Sequence, residues 1–331
     1  MNSEGSFERE VPQKISPGAE SAEAFLDLEY LRLPKGFHVR DANYLQTFSE
    51  ILAQLRHSAS LAGLETVMLP SLGYASTFIR GAETTGDKTF DFEDRKGRRL
   101  MLSPDSTPAI FRWYLENYSN NQAVDVAWFA PLFRYRNFQN RGFHQFGFAY
   151  LNRPGQQPGG LDWPLIEASN LLVNLIQSST GIEVTAEICC PGKIKDIVNA
   201  AIGEPILSKM VLRNLQKAKS TEEKIKLVTE TLPAGEQREA LAGIFSGNLT
   251  PVNKLHEQCY QEMHEFGSKL TDCAKYQCNP GNLHSSEIIS GLGIAFKTLD
   301  GCIIGDGGRY DIYGETFDPK IHSVISCLLY T

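Results

Sequence analysis

The chain has 331 residues, 42% hydrophobic and 21% charged, with a formal net charge of -7 and a pI near 5.6. That length buries a sizeable core, and no apolar run approaches the roughly 20 residues of a membrane span. The acidic balance gives no general attraction to phosphate and no Lys/Arg-rich tail offsets it, so neither DNA nor a membrane is an expected partner.

Residues 1–28 are rich in Ser, Glu and Gly and read as a flexible N-terminal tail. They lack the basic and apolar regions of a signal peptide, so a cytoplasmic location is the expectation. Tyr44, Leu45, Phe48, Ile51, Leu52 and Leu55 have helical spacing from Asp41 towards a cap at Gly63, and a strand follows over Glu65 to Pro70. Short strands are predicted at Thr89–Phe92 and Arg99–Leu102, then a helix over Ser106–Asn117. Three β-like runs come next, at Val124–Phe129, Leu132–Asn137 and Phe143–Leu151. Consecutive strands of this kind predict an antiparallel sheet with helices against it.

A helix over residues 162–179 and a strand at Ile182–Ile188 follow. From Pro191 to Lys275 the chain is charged, helix-forming and broken at Gly203, Pro205, Pro233 and Pro251, which reads as a helical insertion. Strand character returns at Glu287–Ile289, Ile294–Leu299 and Cys302–Ile304. Gly305, Gly307 and Gly308 lack the spacing of a dinucleotide fingerprint and read as a tight turn before Arg309. The organisation is therefore a core over 29–190, an insertion over 191–282 and the rest of the core over 283–331. The seven cysteines include no Cys-x-x-Cys pair. Free thiols, mostly buried, are the better reading than a zinc site near Cys273 and Cys278.

Side chains alternate along a strand, so Arg134 and Arg136 share one face. On the last of the three runs Phe143, Gln145, Gly147 and Ala149 share a face, opposite the bulky His144, Phe146, Phe148 and Tyr150. Small side chains beside an amide leave room for a ligand, or reflect thin packing against a helix. Asp105 and Thr107, after Pro104, read either as site residues or as a helix cap.

Three segments carry a family resemblance. Asp91-Phe92-Glu93-Asp94-Arg95-Lys96-Gly97-Arg98-Arg99-Leu100 leads into Leu102-Ser103-Pro104-Asp105-Ser106-Thr107, with Arg112 following. Pro131-Leu132-Phe133-Arg134-Tyr135-Arg136 continues to Phe143-His144-Gln145-Phe146-Gly147. Gly307-Gly308-Arg309-Tyr310-Asp311 comes late. Over roughly 32–180 and 285–328 the chain resembles the catalytic core of histidyl-tRNA synthetase, a class II aminoacyl-tRNA synthetase, and Pro70 sits where that family's dimer-forming motif has its proline.

The resemblance implies an α+β fold: a class II synthetase-type antiparallel sheet flanked by helices, with a helical insertion, in a homodimer. It implies that Arg134 holds the α-phosphate of ATP, with Mg as companion ion, and steadies the substrate carboxylate. Phe143 would stack on adenine. Asp105, Thr107 and Gln145 would hold the amino acid's ammonium group, and Tyr310 would line its side-chain pocket.

Departures from the family pattern change the expectation. Motif 2 should read Arg-x-Glu, but Arg136 replaces the adenine-reading acceptor; it suits a second anionic group or turns to solvent. Ser290 stands where the histidyl signature has its catalytic arginine, Ala295 or Phe296 where it has an imidazole-facing tyrosine, and Ala149 where a glutamate reads the imidazole. Ser323 to Thr331 resembles only the strand of motif 3, without its arginine, and the expectation is a core without an anticodon-binding domain. Loss of preorganised cations usually costs phosphoryl chemistry several kcal/mol. The expectation is a paralogue that does not charge tRNA. It would bind an amino-acid-like small molecule, as a regulatory subunit paired with a partner enzyme in the manner of ATP phosphoribosyltransferase. The alternative is an ATP-dependent ligase that activates an amino acid for a small molecule or carrier protein.

Overall fold

The structure is a computed structural model. It describes residues 31–80, 89–118, 121–135, 140–153, 161–271, 273–283 and 288–330. The expected N-terminal tail and Arg136 lie outside the described residues, as does most of the turn between the strands flanking Arg134.

Helix α1 (Ala42–Ala62) starts at Asp41, whose carboxylate accepts from the Tyr44 N–H at 2.9 Å, and stops at Gly63 in the left-handed region (φ 71). Its buried stripe, Ile51, Leu55, Ser58 and Ala59, faces the sheet. β1 (Glu65–Met68) follows, then β2 (Leu72–Tyr74), the short α2 (Ala75–Ile79), β3 (Asp91–Glu93), β4 (Arg99–Leu102) and α3 (Ser106–Asn117). Next come β5 (Val124–Phe133), β6 (Gly142–Leu151), α4 (Trp163–Thr180) and β7 (Thr185–Cys189).

The first two of the three β-like runs are one strand, a correction whose physical cause is at Pro131. Peptide groups of Phe129 and Phe133 bond away from β6, to Leu69 and Ser103. Pro131 lies between them, past the end of β1, on the side where no neighbouring strand requires its missing N–H.

Five helices fill the inserted segment: α5 (Pro191–Ile202), α6 (Pro205–Lys217), α7 (Thr221–Thr231), α8 (Glu236–Phe245) and α9 (Lys254–Gly267). Their breaks fall at the predicted Gly203, Pro205 and Pro233, and the left-handed φ of 72 at Gly203 ends α5. Val198, Leu215, Leu241, Met263 and Phe266 belong to one hydrophobic cluster with Leu172 and Ile176 of α4, so this segment packs as part of the main core. β8 (Lys275–Cys278) then returns to the sheet.

The chain closes with β9 (Gly293–Lys297), β10 (Ile303–Arg309), α10 (Asp311–Phe317) and β11 (Val324–Tyr330). Ile288 and Ile289 form no strand, and Glu287 lies outside the described residues. The expected glycine turn is also corrected, because Gly305, Gly307 and Gly308 lie inside β10 with no positive φ. A Cβ on Gly305 would come 2.5 Å from the Leu328 carbonyl oxygen, and one on Gly307 2.4 Å from the Cys327 sulfur. Close strand approach, rather than a turn, demands these glycines.

Eight strands form one sheet in the order β1-β5-β6-β11-β10-β9-β7-β8, and β2-β4-β3 form a second. The outer pairs β1–β5 and β7–β8 are parallel and all inner pairs antiparallel. One face of the large sheet carries α1, α4 and the inserted helices. The other carries α3, α10 and the side chains considered next. No helix among the described residues is long and apolar enough to cross a membrane.

Candidate functional site

Strand pairing lays side chains across this second face in rows. One row runs Trp128, Gly147, Leu328, Asp306, Ala295 and Glu187 over β5, β6, β11, β10, β9 and β7. The next places Gln145 beside Tyr330.

At one end, the N-terminus of α3 meets β5 and β6. Asp105 caps that helix, accepting from the Thr107 N–H at 2.8 Å, and also accepts from Arg134 Nη2 at 3.2 Å. The capping residue is thus also the partner of Arg134. Arg134 Nε donates to the Pro104 carbonyl at 2.6 Å, which fixes the guanidinium plane and leaves further N–H donors on its other edge. That plane lies 5.5 Å from the centre of the Phe143 ring, and Phe143 neighbours Tyr330 at 6.3 Å.

Gln145 is fully buried. Its Oε1 accepts from Ser106 Oγ at 3.0 Å, while its Nε2 has no partner. A buried amide N–H left unpaired costs about 1–3 kcal/mol, which a ligand acceptor would recover. Asp105, Thr107, Arg134, Phe143 and Gln145 therefore share one corner. Tyr310 stands further along the same face, at the start of α10. Burial, then the carboxylate of Asp306, pushes its hydroxyl pKa well up, so it acts as a neutral donor and acceptor. Gly147 does not leave room for a ligand: the Trp128 ring fills the space over it, 2.7 Å from where a Cβ would stand.

The opposite end is made by β7, β9 and β10. Ala295 faces the site, whereas Phe296 is buried in the core on the other face, so Ala295 holds the position of interest. Ser290 carries no charge, and its hydroxyl accepts from the Ile312 N–H at the start of α10 at 3.2 Å. Glu187 accepts from Lys297 Nζ at 2.7 Å, Asn282 Nδ2 at 2.6 Å and Gln277 Nε2 at 2.8 Å. Burial pushes this carboxyl pKa up, but the three donors outweigh it and hold the group below its usual range. Burial raises the Cys189 thiol to about 12, keeping it neutral. Arg309 of the late signature is a tie. It makes a two-point contact with Asp162 at 2.7 and 2.9 Å and pairs with Asp311 at 3.0 Å, joining β10 to the starts of α4 and α10.

Sequence reasoning missed Asp306, Tyr330 and the Glu187 cluster. Tyr330 donates to Asp306 Oδ2 at 3.0 Å and connects the two ends. One signal was available: Glu187 is a lone charge in the otherwise uncharged run from Val184 to Cys190. Among the described residues no group of three or more His, Cys, Asp or Glu side chains is placed to hold a metal ion.

A family profile described as "Histidyl-tRNA synthetase" matches residues 37–324. The histidine–tRNA ligase of Clostridium perfringens is 26% identical over 288 residues, covering 81% of this chain and 65% of its own length. The chain thus spans just under two thirds of that relative's length. A Bacillus halodurans structure described as an ATP phosphoribosyltransferase regulatory subunit/histidyl-tRNA synthetase superposes with a TM-score of 0.74 at 16% identity, over 90% of this chain and 81% of that one. An ATP phosphoribosyltransferase complex from Thermotoga maritima contains a chain that superposes with a TM-score of 0.61 at 15% identity, over 86% of this chain and 97% of that one. At such identities these likenesses speak to the fold, which is that of class II synthetases.

Proposed function

Because the chain belongs to the histidyl-tRNA synthetase family, we propose that it is a member that does not charge tRNA and binds an amino acid or a related small ligand. In this reading it serves as a regulatory subunit of a partner enzyme. The observation that carries it is Ser290. Where the resemblance expects a catalytic arginine there is a neutral hydroxyl, already engaged by the Ile312 N–H. The α3 corner, by contrast, keeps Asp105, Thr107, Arg134 and Gln145 together, with the Gln145 amide nitrogen unpaired. An α-carboxylate would face the guanidinium of Arg134, and the ammonium group the carboxylate of Asp105. Tyr310 would border the side chain.

The test is thermal unfolding of the full chain with each amino acid and with non-protein analogues. One or a few should stabilise it, by about 2.7 kcal/mol at a concentration 100 times Kd. Gln145→Leu should abolish that rise. Indifference to every amino acid overturns the reading.

A second reading rests on Arg134 over the Phe143 ring, which suits a phosphate beside an adenine. On it the protein is an ATP-dependent ligase that activates an amino acid, with Mg2+ arriving on the nucleotide's phosphates. Arg136 opposes it, because arginine offers the adenine amino group no acceptor.

A further inference from the structure

Two thiols meet where the inserted helices join the sheet, and neither belongs to the candidate site. Cys190 follows the last residue of β7 and stands at the N-cap of α5, where its side chain makes no capping bond. Cys259 lies on α9. Both are fully buried in the same hydrophobic cluster.

The packing of α9 sets their separation. The helix ends at Gly267, where an added Cβ would stand 2.4 Å from the Tyr276 ring, and Tyr276 is paired with Ala186 of β7. From Ala186 to Cys190 the chain advances about 13 Å, and from Gly267 back to Cys259 the helix covers about 12 Å. Helix α9 therefore runs against the direction of β7 and brings Cys259 level with Cys190. Three residues further along each segment, Lys193 and Glu262 pair at 2.8 Å, which holds α5 and α9 in this register. The two thiols hydrogen-bond to one another. That bond lowers the Cys259 thiol below its ordinary range despite burial, with Lys193 adding to the effect, while the same bond and burial push Cys190 up. Cys259 is thus the sulfur that ionises first.

We propose that Cys190 and Cys259 form an oxidative modification site, a dithiol that a hydroperoxide converts into a disulfide stapling α9 to the end of β7. The Cys259 thiolate attacks one peroxide oxygen. The O–O bond breaks, Cys259 becomes a sulfenic acid, and the released hydroxide takes up the thiol proton as water. The Cys190 sulfur then attacks the sulfenic sulfur. The S–S bond forms as the S–O bond breaks, and the hydroxyl leaves with the Cys190 proton as a second water. Hydrogen peroxide suits a buried pair, because it is little larger than water and enters through local opening of the helix packing. The staple also bears on the candidate site. The Gly192 N–H donates to the Gly291 carbonyl at 3.1 Å, and a Cβ on Gly192 would stand 2.4 Å from the Ser290 carbonyl oxygen, so fixing the start of α5 fixes the segment that carries Ser290.

Peroxide treatment of the reduced full chain tests this, in a Cys302→Ser background that removes the exposed thiol. Remaining thiols are alkylated, and the protein is digested without reductant for mass spectrometry. A linked peptide pair containing Cys190 and Cys259 is expected, lighter by two hydrogens than the sum of its parts. Closing so long a loop should raise the melting temperature by several degrees, and dithiothreitol should reverse the rise. Cys259→Ala should lose both the linked pair and the rise. If that variant folds poorly, the linked pair and the reversible rise in the parent protein decide the matter. Thiols that stay alkylatable, oxidation of either sulfur alone, or a bridge from either to Cys278 would overturn the site. A Cys190–Cys259 bridge that leaves the melting temperature unchanged would overturn the staple.

Discussion

At the α3 corner, Asp105, Arg134 and Gln145 take their places from one helix cap and one pair of adjacent strands. At the far end, Glu187 and Lys297 meet across 110 positions of sequence, through the pairing of β7 with β9. The local corner keeps the residues that the family resemblance expects. The end assembled by distant strands is where the resemblance expects an arginine and a tyrosine and the chain has Ser290 and Ala295. A ligand's backbone and its side chain would thus meet differently built walls, so one can change while the other persists.

The sharpest way to break the comparison is Arg309→Ala. It removes the tie between the far end and α4, and leaves Asp162 and Asp311 without their shared cation. Breaking such a buried pair costs about 4 kcal/mol, read from urea unfolding. The α3 corner shares no hydrogen bond with Arg309, so Arg309→Lys, which keeps the charge, should recover part of the loss.

Lys297→Met comes next. It strands Glu187 with only two neutral donors and should cost about 3 kcal/mol. The same cluster gives a pH signature. The Glu187 carboxyl is held below its ordinary value of 4.5 in the folded chain, so its stabilisation is present above that value and is lost as pH falls through the depressed one. Glu187→Gln should therefore lose less stability than the wild type on acidification below about 4.5, as followed by melting temperature. An identical acid response in both proteins would remove the cluster from the account.

The smallest effect separates cap from site. Asp105→Ala should cost about 1 kcal/mol through the lost α3 cap. Asp105→Asn keeps a capping oxygen and should melt near the wild type, yet weaken ligand binding. Equal binding in both would make Asp105 a cap alone.

Much of this architecture was legible in the sequence, and the reasons are physical. Asp41 and Gly63 bracket α1, Ser106–Asn117 was bounded correctly, and the Gln145 face was set by strand alternation. All of these depend on residues near one another in the chain. The glycines of β10 were misjudged because their cause is the Leu328 carbonyl and the Cys327 sulfur on another strand. The expected break between Phe129 and Leu132 does not occur, because Pro131 lies beyond the end of β1, where its missing N–H has no strand to serve, and nothing local in the sequence says that β1 has already ended. Asp306, Tyr330 and the partners of Glu187 needed the strand register, which no single segment encodes.

The central claim is a family pocket that retains amino-acid binding without the family's activation chemistry. Amino-acid-dependent exchange of pyrophosphate into ATP tests it most directly, run with every ligand that raises the melting temperature. The account predicts stabilisation with no exchange above the amino-acid-free background. Exchange that depends on a stabilising amino acid and disappears in Arg134→Ala would contradict it and make the protein an adenylate-forming ligase.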